Sequence, residues 1–289
     1  MTHSPYTTAA VAGLGTMGAG IAQVIATAGV KVIALEADQD RLDAGLERLN
    51  AFVDGGVKRG KLTEDEAAAI RDAITGTVSV DDLAEAEVVI EAVTEDLGVK
   101  HSILSSIAAV VGDDVPLLTN TSALSVGEIA AGVPGPSRVA GFHFFNPAPL
   151  MKTLEVVRAE STAAGLVDRL VEFGEAIGKD TIVVKDRPGF LINALLLPYL
   201  NDVIAEFDSG LAEAVDIDTA MKLGLGYKQG PLELLDLIGL DAHHHATSAA
   251  YESTKDYRYA PPPLLKAMVT AGRLGAKNGR GFRQGSDQA

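Results

Sequence analysis

Short apolar runs alternate with amphipathic stretches over the first part of the chain, a pattern typical of parallel strands joined by helices. Residues 7–12 and 30–35 are predicted to be strands, with a helix over 19–28 between them. Further strands are predicted at 87–93, 116–120, 139–145, 154–157 and 180–184, with helices beginning near 97 and 126 and another over 162–177. This order of elements predicts an α/β domain over residues 1–186.

The pattern changes at Pro188-Gly189, after which every predicted element is helical. Residues 187–289 are therefore predicted to form a second, all-helical domain. Its first helix, over 190–208, is long and largely apolar, with a kink expected at Pro198. Because a domain of about 100 residues has only a small core, this helix is expected to be buried between two subunits.

A basic cluster lies within residues 40–74, a polar helical stretch with breaks expected at Gly55-Gly56 and Gly60 and a capping box from Thr63. The cluster consists of Lys58, Arg59 and Lys61. Each of these residues alone is most simply a solvated helix end. Together, in an acidic chain, they are a candidate site for an anionic substrate, with Lys58 and Lys61 as the expected contacts.

A glycine motif, Gly13-Leu-Gly15-Thr16-Met17-Gly18, joins the first strand to the first helix. Within a strand–helix–strand unit, such glycines allow a tight turn, close approach of a pyrophosphate and packing of the helix on the strand. The free N–H groups at the start of the helix bind phosphates. Glu36 ends the second strand, where it suits ribose hydroxyls and would repel a 2′-phosphate. The sequence therefore predicts a Rossmann-type domain that binds NAD rather than NADP.

Three further polar residues follow predicted strands: Glu95, Asn120 and Ser122. Ligands of open α/β sheets bind at the carboxyl ends of the strands, so these side chains are expected to face the cofactor or the substrate. The alternative for Ser122 is that it, or Ser125, caps the helix that begins at residue 126.

The candidate catalytic pair is His143 and Glu155. Histidine titrates near neutrality, so His143 can accept or return a proton. Glu155 follows twelve positions later on a second apolar run. The turn formers Asn146-Pro147 and Pro149 could fold the chain back and bring the carboxylate to the ring, where it would fix the tautomer and favour the imidazolium. On these residues alone, a core histidine and an unrelated surface glutamate are the commoner arrangement.

The composition narrows the class of protein. A chain of 289 residues with 47% hydrophobic and 22% charged residues is typical of a folded globular protein, and its net charge of −15 argues against a nucleic-acid partner. The absence of cysteine excludes thiolate chemistry and suits a reducing compartment. No secretory signal and no apolar run of membrane-spanning length is found, so a cytoplasmic protein without a membrane partner is expected. No metal is expected at His243-His244-His245, because consecutive helical residues cannot face one ion.

These motifs resemble those of the short-chain L-3-hydroxyacyl-CoA dehydrogenases, in particular the bacterial 3-hydroxybutyryl-CoA dehydrogenases. The similarity covers nearly the whole chain. Besides the glycine motif it includes segments 89–95, 119–122, 143–149, 154–156, 188–190 and 216–224. The His-Phe-Phe-Asn-Pro segment with its downstream glutamate is specific to this group.

The resemblance implies that His143 takes the proton of a 3-hydroxyl while hydride passes from C3 to NAD, and that Glu155 orients and charge-stabilises His143. It implies that Ser122 and Asn193 hold the hydroxyl and the thioester carbonyl, and that Asn146 supports the catalytic loop. The substrate implied is an (S)-3-hydroxyacyl-CoA with a short acyl chain.

The resemblance also implies cofactor contacts and an assembly. Glu95 and Lys100 match positions near the nicotinamide ribose and the cofactor phosphates. The family is implied to have a helical C-terminal domain, through which it forms a homodimer.

Two segments depart from the family pattern and leave the acyl carrier open. Residues 50–56 lack the lysines that family members carry where the CoA arm lies, and residues 227–231 replace a more apolar pattern. One alternative is the same chemistry on a hydroxyacyl-acyl carrier protein in a biosynthetic pathway. A second is a free hydroxy acid, as in gulonate dehydrogenases, and a third is a catalytically idle NAD-binding protein. The intact set of Ser122, His143, Glu155 and Asn193 argues against the idle protein.

Overall fold

The computed structural model of the chain describes residues 4–283. The chain divides into two compact units, the first ending at Phe190 and the second beginning at Leu191. The described part of the first unit contains one eight-stranded sheet, in the order β3-β2-β1-β4-β5-β6-β7-β8. The strands are β1 (Thr8–Ala12), β2 (Lys31–Leu35), β3 (Ile74–Thr77), β4 (Val88–Glu91), β5 (Leu117–Thr119), β6 (Val139–Phe144), β7 (Thr153–Arg158) and β8 (Asp180–Lys185).

Neighbouring strands are parallel except β6 and β7, which form an antiparallel pair. The helices of this unit are α1 (Thr16–Thr27), α2 (Gln39–Lys58), α3 (Glu64–Asp72), α4 (Leu97–Ala108), α5 (Val126–Ala131) and α6 (Ala164–Ala176). The carboxyl ends of the parallel strands β1, β4, β5 and β6 share one edge of the sheet, where the glycine motif, Glu95, Asn120 and Ser122 follow the strands.

Helices cover both faces of the sheet, and the alternation of side chains along β1 shows why. Ala9 and Val11 lie in one hydrophobic core, while Ala10 and Ala12 lie in the other. The first core packs against α1, α2, α3 and α6, and the second packs against α4 and α5. Because both faces are buried, the strands are nearly continuous apolar runs, which is the pattern found in the sequence.

The break predicted at Gly55-Gly56 is wrong, because α2 continues through both glycines to Lys58. A Cβ at Gly56 would lie 2.7 Å from Cδ1 of Leu62, so this glycine permits close packing inside a helix. The chain turns instead at Gly60, where φ is 65°. The predicted capping box is confirmed: the Thr63 hydroxyl accepts from the backbone N–H of Glu66, and the Glu66 carboxylate accepts from that of Thr63.

The second unit is helical over its described regular elements, as predicted. Its helices are α7 (Ile192–Asp208), α8 (Ala214–Leu225), α9 (Pro231–Ile238), α10 (Leu240–Thr254) and α11 (Pro263–Thr270). Pro198 lies inside α7. The buried carboxylate of Asp218 accepts the N–H groups of Leu232 and Glu233 and so holds the start of α9, while Asp236 accepts those of Phe282 and Arg283.

Candidate active site

His143 and Glu155 are directly opposite each other in the antiparallel pair of β6 and β7. The His143 Nδ1 atom lies 2.8 Å from Oε2 of Glu155, and both side chains are buried. A carboxylate accepts hydrogen bonds and donates none, so Nδ1 carries the hydrogen and Nε2 of the neutral ring carries the lone pair. The loop that holds Asn146-Pro147 thus brings together two residues that are twelve positions apart in the chain. Asn146 itself is exposed on this loop.

Two aromatic rings flank His143, with centroids 4.6 Å away for Phe145 and 5.5 Å away for Phe190. Phe190 is buried and has a φ of 48°, in the left-handed region that a bulky residue adopts at a cost of about 1 kcal/mol or more. In the sequence, Phe190 stands out only as part of the segment 188–190. The sequence feature that could have pointed to its contact with His143 is the preceding Pro188-Gly189, which allows the chain to turn abruptly before Phe190.

The loop after β5 is hydrogen-bonded to the end of β6 and to the loop after β4. The Asn120 side-chain oxygen accepts the backbone N–H of Phe144 at 2.9 Å, which ties this loop to the end of β6. Glu95 accepts the backbone N–H groups of Ser122 and Ala123 at 3.0 and 3.1 Å and the hydroxyl of Thr121. Ser125, rather than Ser122, caps α5. The side chain of Ser122 is therefore left exposed at the sheet edge.

Lys100 is buried behind Glu95. Its ammonium lies 2.7 Å from Glu91 and 3.2 Å from Glu95, and its side chain is 1% exposed. Burial acts to raise the pKa of Glu95, but the charge of Lys100 and the hydrogen bonds of the 121–123 loop outweigh it, and the pKa of Glu95 is lowered.

A cavity of about 640 Å³ borders the glycine motif. Gly13, Gly15, Thr16 and Met17 line it, together with Glu36. Two positions of the motif require glycine: φ is 91° at Gly13, and a Cβ at Gly18 would lie 1.7 Å from the carbonyl oxygen of Gly13. The N-cap of α1, Gly15, has no side chain to cap the first N–H groups, so a phosphate can accept them. The residues present fit a dinucleotide.

Glu36 is held in place at this cavity by the backbone. Its Oε1 atom accepts the N–H of Leu14 at 2.6 Å, and Oε2 accepts that of Ala37 at 3.1 Å. The carboxylate is therefore fixed beside the glycine turn, where the sequence predicted an acid. Arg41, which no sequence motif singled out, also lines the cavity and pairs with Asp38 at 3.3 Å.

A second cavity of about 440 Å³ lies beside the loop after β6. Apolar residues line much of it, including Phe52, Leu62 and Pro149, and the basic residues Arg59 and Lys61 lie among them. Of the two lysines expected to contact substrate, Lys61 lines the cavity, whereas Lys58, the last residue of α2, does not. Arg59, the residue after Lys58, also lines the cavity.

Two further groups lie outside these cavities, both in the second unit. Asn193 is in the first turn of α7. His243 is buried and lies 3.0 Å from the side-chain oxygen of Asn201. Within residues 4–283, no group of three or more His, Cys, Asp or Glu side chains is arranged to hold a metal ion. No helix of that part of the chain is both long and apolar enough to cross a bilayer.

The Rossmann-type unit, its glycine turn and the adjoining cavity define the class of protein, an NAD-binding oxidoreductase. The chain belongs to the 3-hydroxyacyl-CoA dehydrogenase family, whose NAD-binding domain matches residues 8–187 and whose C-terminal domain matches residues 189–285. The family, the fold class and the NAD cofactor that the sequence predicted are thereby confirmed.

Individual relatives are similar over nearly the whole chain. The 3-hydroxybutyryl-CoA dehydrogenase of Mycobacterium tuberculosis is 42% identical over 94% of this chain and 96% of its own. The 3-hydroxyadipyl-CoA dehydrogenase of Escherichia coli is 38% identical over 95% of this chain and 58% of its own. The crystal structure of (S)-3-hydroxybutyryl-CoA dehydrogenase from Ralstonia eutropha is 37% identical, with a TM-score of 0.90 over 96% of this chain and 99% of that one.

Proposed function

We propose that the protein interconverts (S)-3-hydroxyacyl-CoA and 3-oxoacyl-CoA with NAD, and that its substrate pair is 3-hydroxybutyryl-CoA and acetoacetyl-CoA. The observation that carries the proposal is the buried His143–Glu155 pair at the carboxyl end of β6, in a chain of this dehydrogenase family. The names of the Mycobacterium and Ralstonia relatives support the four-carbon acyl group. The Escherichia relative is named for a longer dicarboxylic acyl group, so chain length is a separate part of the proposal.

In the oxidation, His143 accepts the proton of the substrate 3-hydroxyl at Nε2. The bond from Nδ1–H to Glu155 holds the ring in the required tautomer and balances the positive charge that forms. NAD, when bound, supplies the acceptor for the hydride that leaves C3. In the reduction, the imidazolium returns its proton to the carbonyl oxygen. We assign Ser122 and Asn193 to the hydroxyl and the thioester carbonyl, and Asn146 to the support of the loop after β6.

The cofactor residues are assigned from the cavity beside the glycine motif. The phosphates are bound at Gly15, Thr16 and Met17, where the first N–H groups of α1 point outward. Glu36 binds the adenosine ribose, and its charge disfavours the 2′-phosphate of NADP. At the nicotinamide end we assign Glu95 and Asn120, together with Lys100, whose ammonium lies 3.2 Å from the Glu95 carboxylate.

The second cavity is assigned to the CoA arm of the substrate. Its apolar lining suits pantetheine, and Arg59 and Lys61 supply positive charge for phosphate groups in a chain of net charge −15. The lack of lysine in residues 50–56 keeps a carrier-protein thioester as the second candidate.

Assembly and location complete the proposal. We assign residues 1–186 to the NAD-binding domain and residues 187–289 to a helical domain that forms a homodimer. Exposed leucines on α7 and α8 support this surface: Leu195 is 67% exposed, Leu223 83% and Leu225 63%. The net charge of −15 and the absence of cysteine support a cytoplasmic enzyme.

The first experiment measures oxidation of NADH by the purified protein with acetoacetyl-CoA. Parallel assays use NADPH in place of NADH, and acetoacetyl-acyl carrier protein in place of the CoA thioester. Turnover with NADH and acetoacetyl-CoA is expected, with NADPH a much poorer reductant. Activity on the carrier-protein thioester alone would replace the proposed substrate with the second candidate.

The catalytic assignment is tested with His143→Gln, which keeps a polar side chain of similar size and removes the base. Turnover is expected to fall at least ~100-fold. NADH binding should be kept, as measured from the fluorescence of NADH itself, which is convenient because the chain has no tryptophan. The matched control is His101→Gln, at a histidine of α4 whose Nε2 atom lies 2.9 Å from the backbone carbonyl oxygen of Glu128. Unchanged turnover in His143→Gln would exclude this residue as the base.

A further inference from the structure

The side chain of Lys179 is buried where the chain leaves α6 and enters β8. Gly178, with a φ of 78°, makes the turn after α6, and the backbone N–H of Lys179 donates to the carbonyl of Gly174 at 2.9 Å. Lys179 is only 7% exposed. Burial lowers the pKa of Lys179, and no carboxylate within residues 4–283 forms an ion pair that would offset this effect. Because lysine is almost never fully buried unless it is paired, this ammonium calls for an explanation beyond packing.

Two hydrogen bonds of the ammonium go to the loop after β6. Nζ donates to the carbonyl oxygen of Ala148 at 2.7 Å and to that of Met151 at 2.8 Å. The same loop packs closely against α1, since a Cβ at Gly20 would lie 3.1 Å from Cδ of Pro149. The loop is thus attached to α1 by packing and to the end of α6 by the two hydrogen bonds of Lys179.

This loop, residues 145–152, joins the two strands that carry the catalytic pair. His143 is on β6 and Glu155 is opposite it on β7. Three residues of the loop line the second cavity, as Lys179 does: Pro147, Pro149 and Leu150. A shift of the loop backbone would therefore change both the connection between the two strands and the wall of the cavity assigned to the thioester. Displacements of about 1 Å are enough to slow an enzymatic reaction strongly.

We propose that Lys179 is a positioning residue for the reaction: its buried ammonium holds the carbonyl groups of Ala148 and Met151 and so fixes the loop between the strands of His143 and Glu155. An ammonium suits this task because its three N–H donors let it bond two carbonyl groups at once. Lys179 acts through the backbone of the loop and not on the reacting atoms. The turnover readout of this inference rests on the proposed function, whereas hydrogen exchange in the loop requires only the fold.

The test compares Lys179→Met with Lys179→Arg. Methionine has a similar length and no donor, so it releases both carbonyl groups. It also removes a buried charge, so thermal stability should change little. The kcat with acetoacetyl-CoA and NADH is expected to fall at least about 10-fold. The dissociation constant of NADH should stay close to the wild-type value, because other segments line the dinucleotide cavity.

Two further variants serve as controls for the methionine substitution. Lys179→Arg keeps the charge and the N–H donors, and the adjoining cavity of about 440 Å³ gives the larger group room, so it should keep most of the turnover. Lys185→Met, at an exposed lysine at the other end of β8, should leave kcat unchanged. A merely structural lysine would alter thermal stability and leave the kcat of the folded enzyme as it is.

A second readout is amide hydrogen exchange, measured by mass spectrometry on peptides that cover residues 145–152. In this loop the N–H groups of Leu150 and Met151 both donate to the carbonyl of Pro147 at 3.0 Å. Their exchange is expected to become faster in Lys179→Met. It should match the wild type in Lys179→Arg and in Lys185→Met, and the exchange of α6 should be the same in all forms.

An unchanged kcat or unchanged exchange of the loop in Lys179→Met would overturn the proposal. Equal effects of methionine and arginine would do the same, because the N–H donors would then not matter. A methionine variant that fails to fold would also overturn it, since Lys179 would then belong to the core. If no form turned over a thioester, wild type included, the proposed substrate would be rejected, and hydrogen exchange would still decide whether Lys179 holds the loop.

Discussion

At the scale of single residues, the turn after α2 determines which basic side chains reach the second cavity. Lys58 ends α2, and the chain turns at Gly60, where φ is 65°. Arg59 and Lys61 lie on either side of this glycine and line the cavity, whereas Lys58 does not. If this cavity holds the CoA arm as proposed, Arg59 and Lys61 are the members of the basic cluster placed to contact its phosphate groups.

Replacing Arg59 with Ala should therefore weaken binding of CoA thioesters without changing the chemistry. We expect the KM for acetoacetyl-CoA to rise about 5- to 10-fold, the equivalent of about 1 kcal/mol for a charge-assisted bond at an exposed site, with kcat unchanged. The KM for acetoacetyl-pantetheine, which lacks the nucleotide phosphates, should stay the same. Lys58→Ala is the matched control. Equal effects on both thioesters would place Arg59 at the acyl or pantetheine end of the substrate.

The residues of the site differ in how far sequence could predict them. Glu36 follows a recognisable motif. The two apolar runs and the turn formers between them allow His143 to pair with Glu155, but the family resemblance was needed to favour the pairing that the register of β6 and β7 shows. The burial of Lys100 could not be predicted, because it depends on how α4 packs beside β4. The contact between Phe190 and His143 depends in the same way on tertiary structure, since the two residues are distant in the chain.

At the scale of elements, α7 and α10 are joined by a buried polar chain. The side-chain oxygen of Asn201 accepts from Nε2 of His243 at 3.0 Å, since an amide oxygen only accepts. Asn201 Nδ2 donates to the hydroxyl of Thr247, which donates to the carbonyl of Tyr259. Desolvation by burial, with a smaller contribution from the neighbouring His244, lowers the pKa of His243 to about 4. His243 is thus neutral in the folded protein.

This lowered pKa predicts a loss of stability in acid. The unfolded chain binds a proton at His243 near the ordinary histidine pKa of about 6.5, while the folded protein resists it until about pH 4. The free energy of unfolding is therefore unaffected by His243 above about pH 6.5. As the pH falls from 6.5 towards 4, protonation of His243 in the unfolded chain lowers the free energy of unfolding by up to about 3 kcal/mol. Denaturant unfolding at pH 7 and pH 5 measures the change.

The comparison variant is His243→Gln, which can keep the bond to Asn201 and cannot titrate. It should lower stability at pH 7 and reduce the difference in stability between pH 7 and pH 5. His245→Gln, at an exposed residue of the same helix, should leave that difference unchanged. If His243→Gln retained the full wild-type difference, the acid sensitivity would belong to other groups.

The ends of helices were predictable from sequence where they depend on nearby residues, and not where they depend on tertiary packing. The capping box at Thr63 was predictable because it depends on residues three positions apart. The course of α2 through Gly55-Gly56 was not, because it depends on the contact of Gly56 with Leu62. Glycine in a helix is unfavourable by itself, and the packing that it permits becomes visible only in the folded chain.

At the scale of the whole molecule, charge and apolar surface act against each other in assembly. Two chains of net charge −15 repel each other, so a homodimer needs an apolar surface large enough to outweigh the repulsion. The exposed leucines of α7 and α8 supply a candidate for that surface. Salt screens the repulsion and leaves the apolar contact in place, so the dimer should become tighter as salt is raised.

Light scattering after size exclusion tests this assembly by mass. The wild-type protein is expected at twice the chain mass of 30.0 kDa, and dilution should dissociate it more readily at about 20 mM salt than at about 500 mM. The variant Leu223→Gln/Leu225→Gln should shift the equilibrium towards the monomer, because it places polar groups in the apolar contact. Leu150→Gln, at a leucine of the first unit that is 62% exposed, should leave the mass unchanged. A double variant that stays dimeric at every dilution would move the interface away from the end of α8.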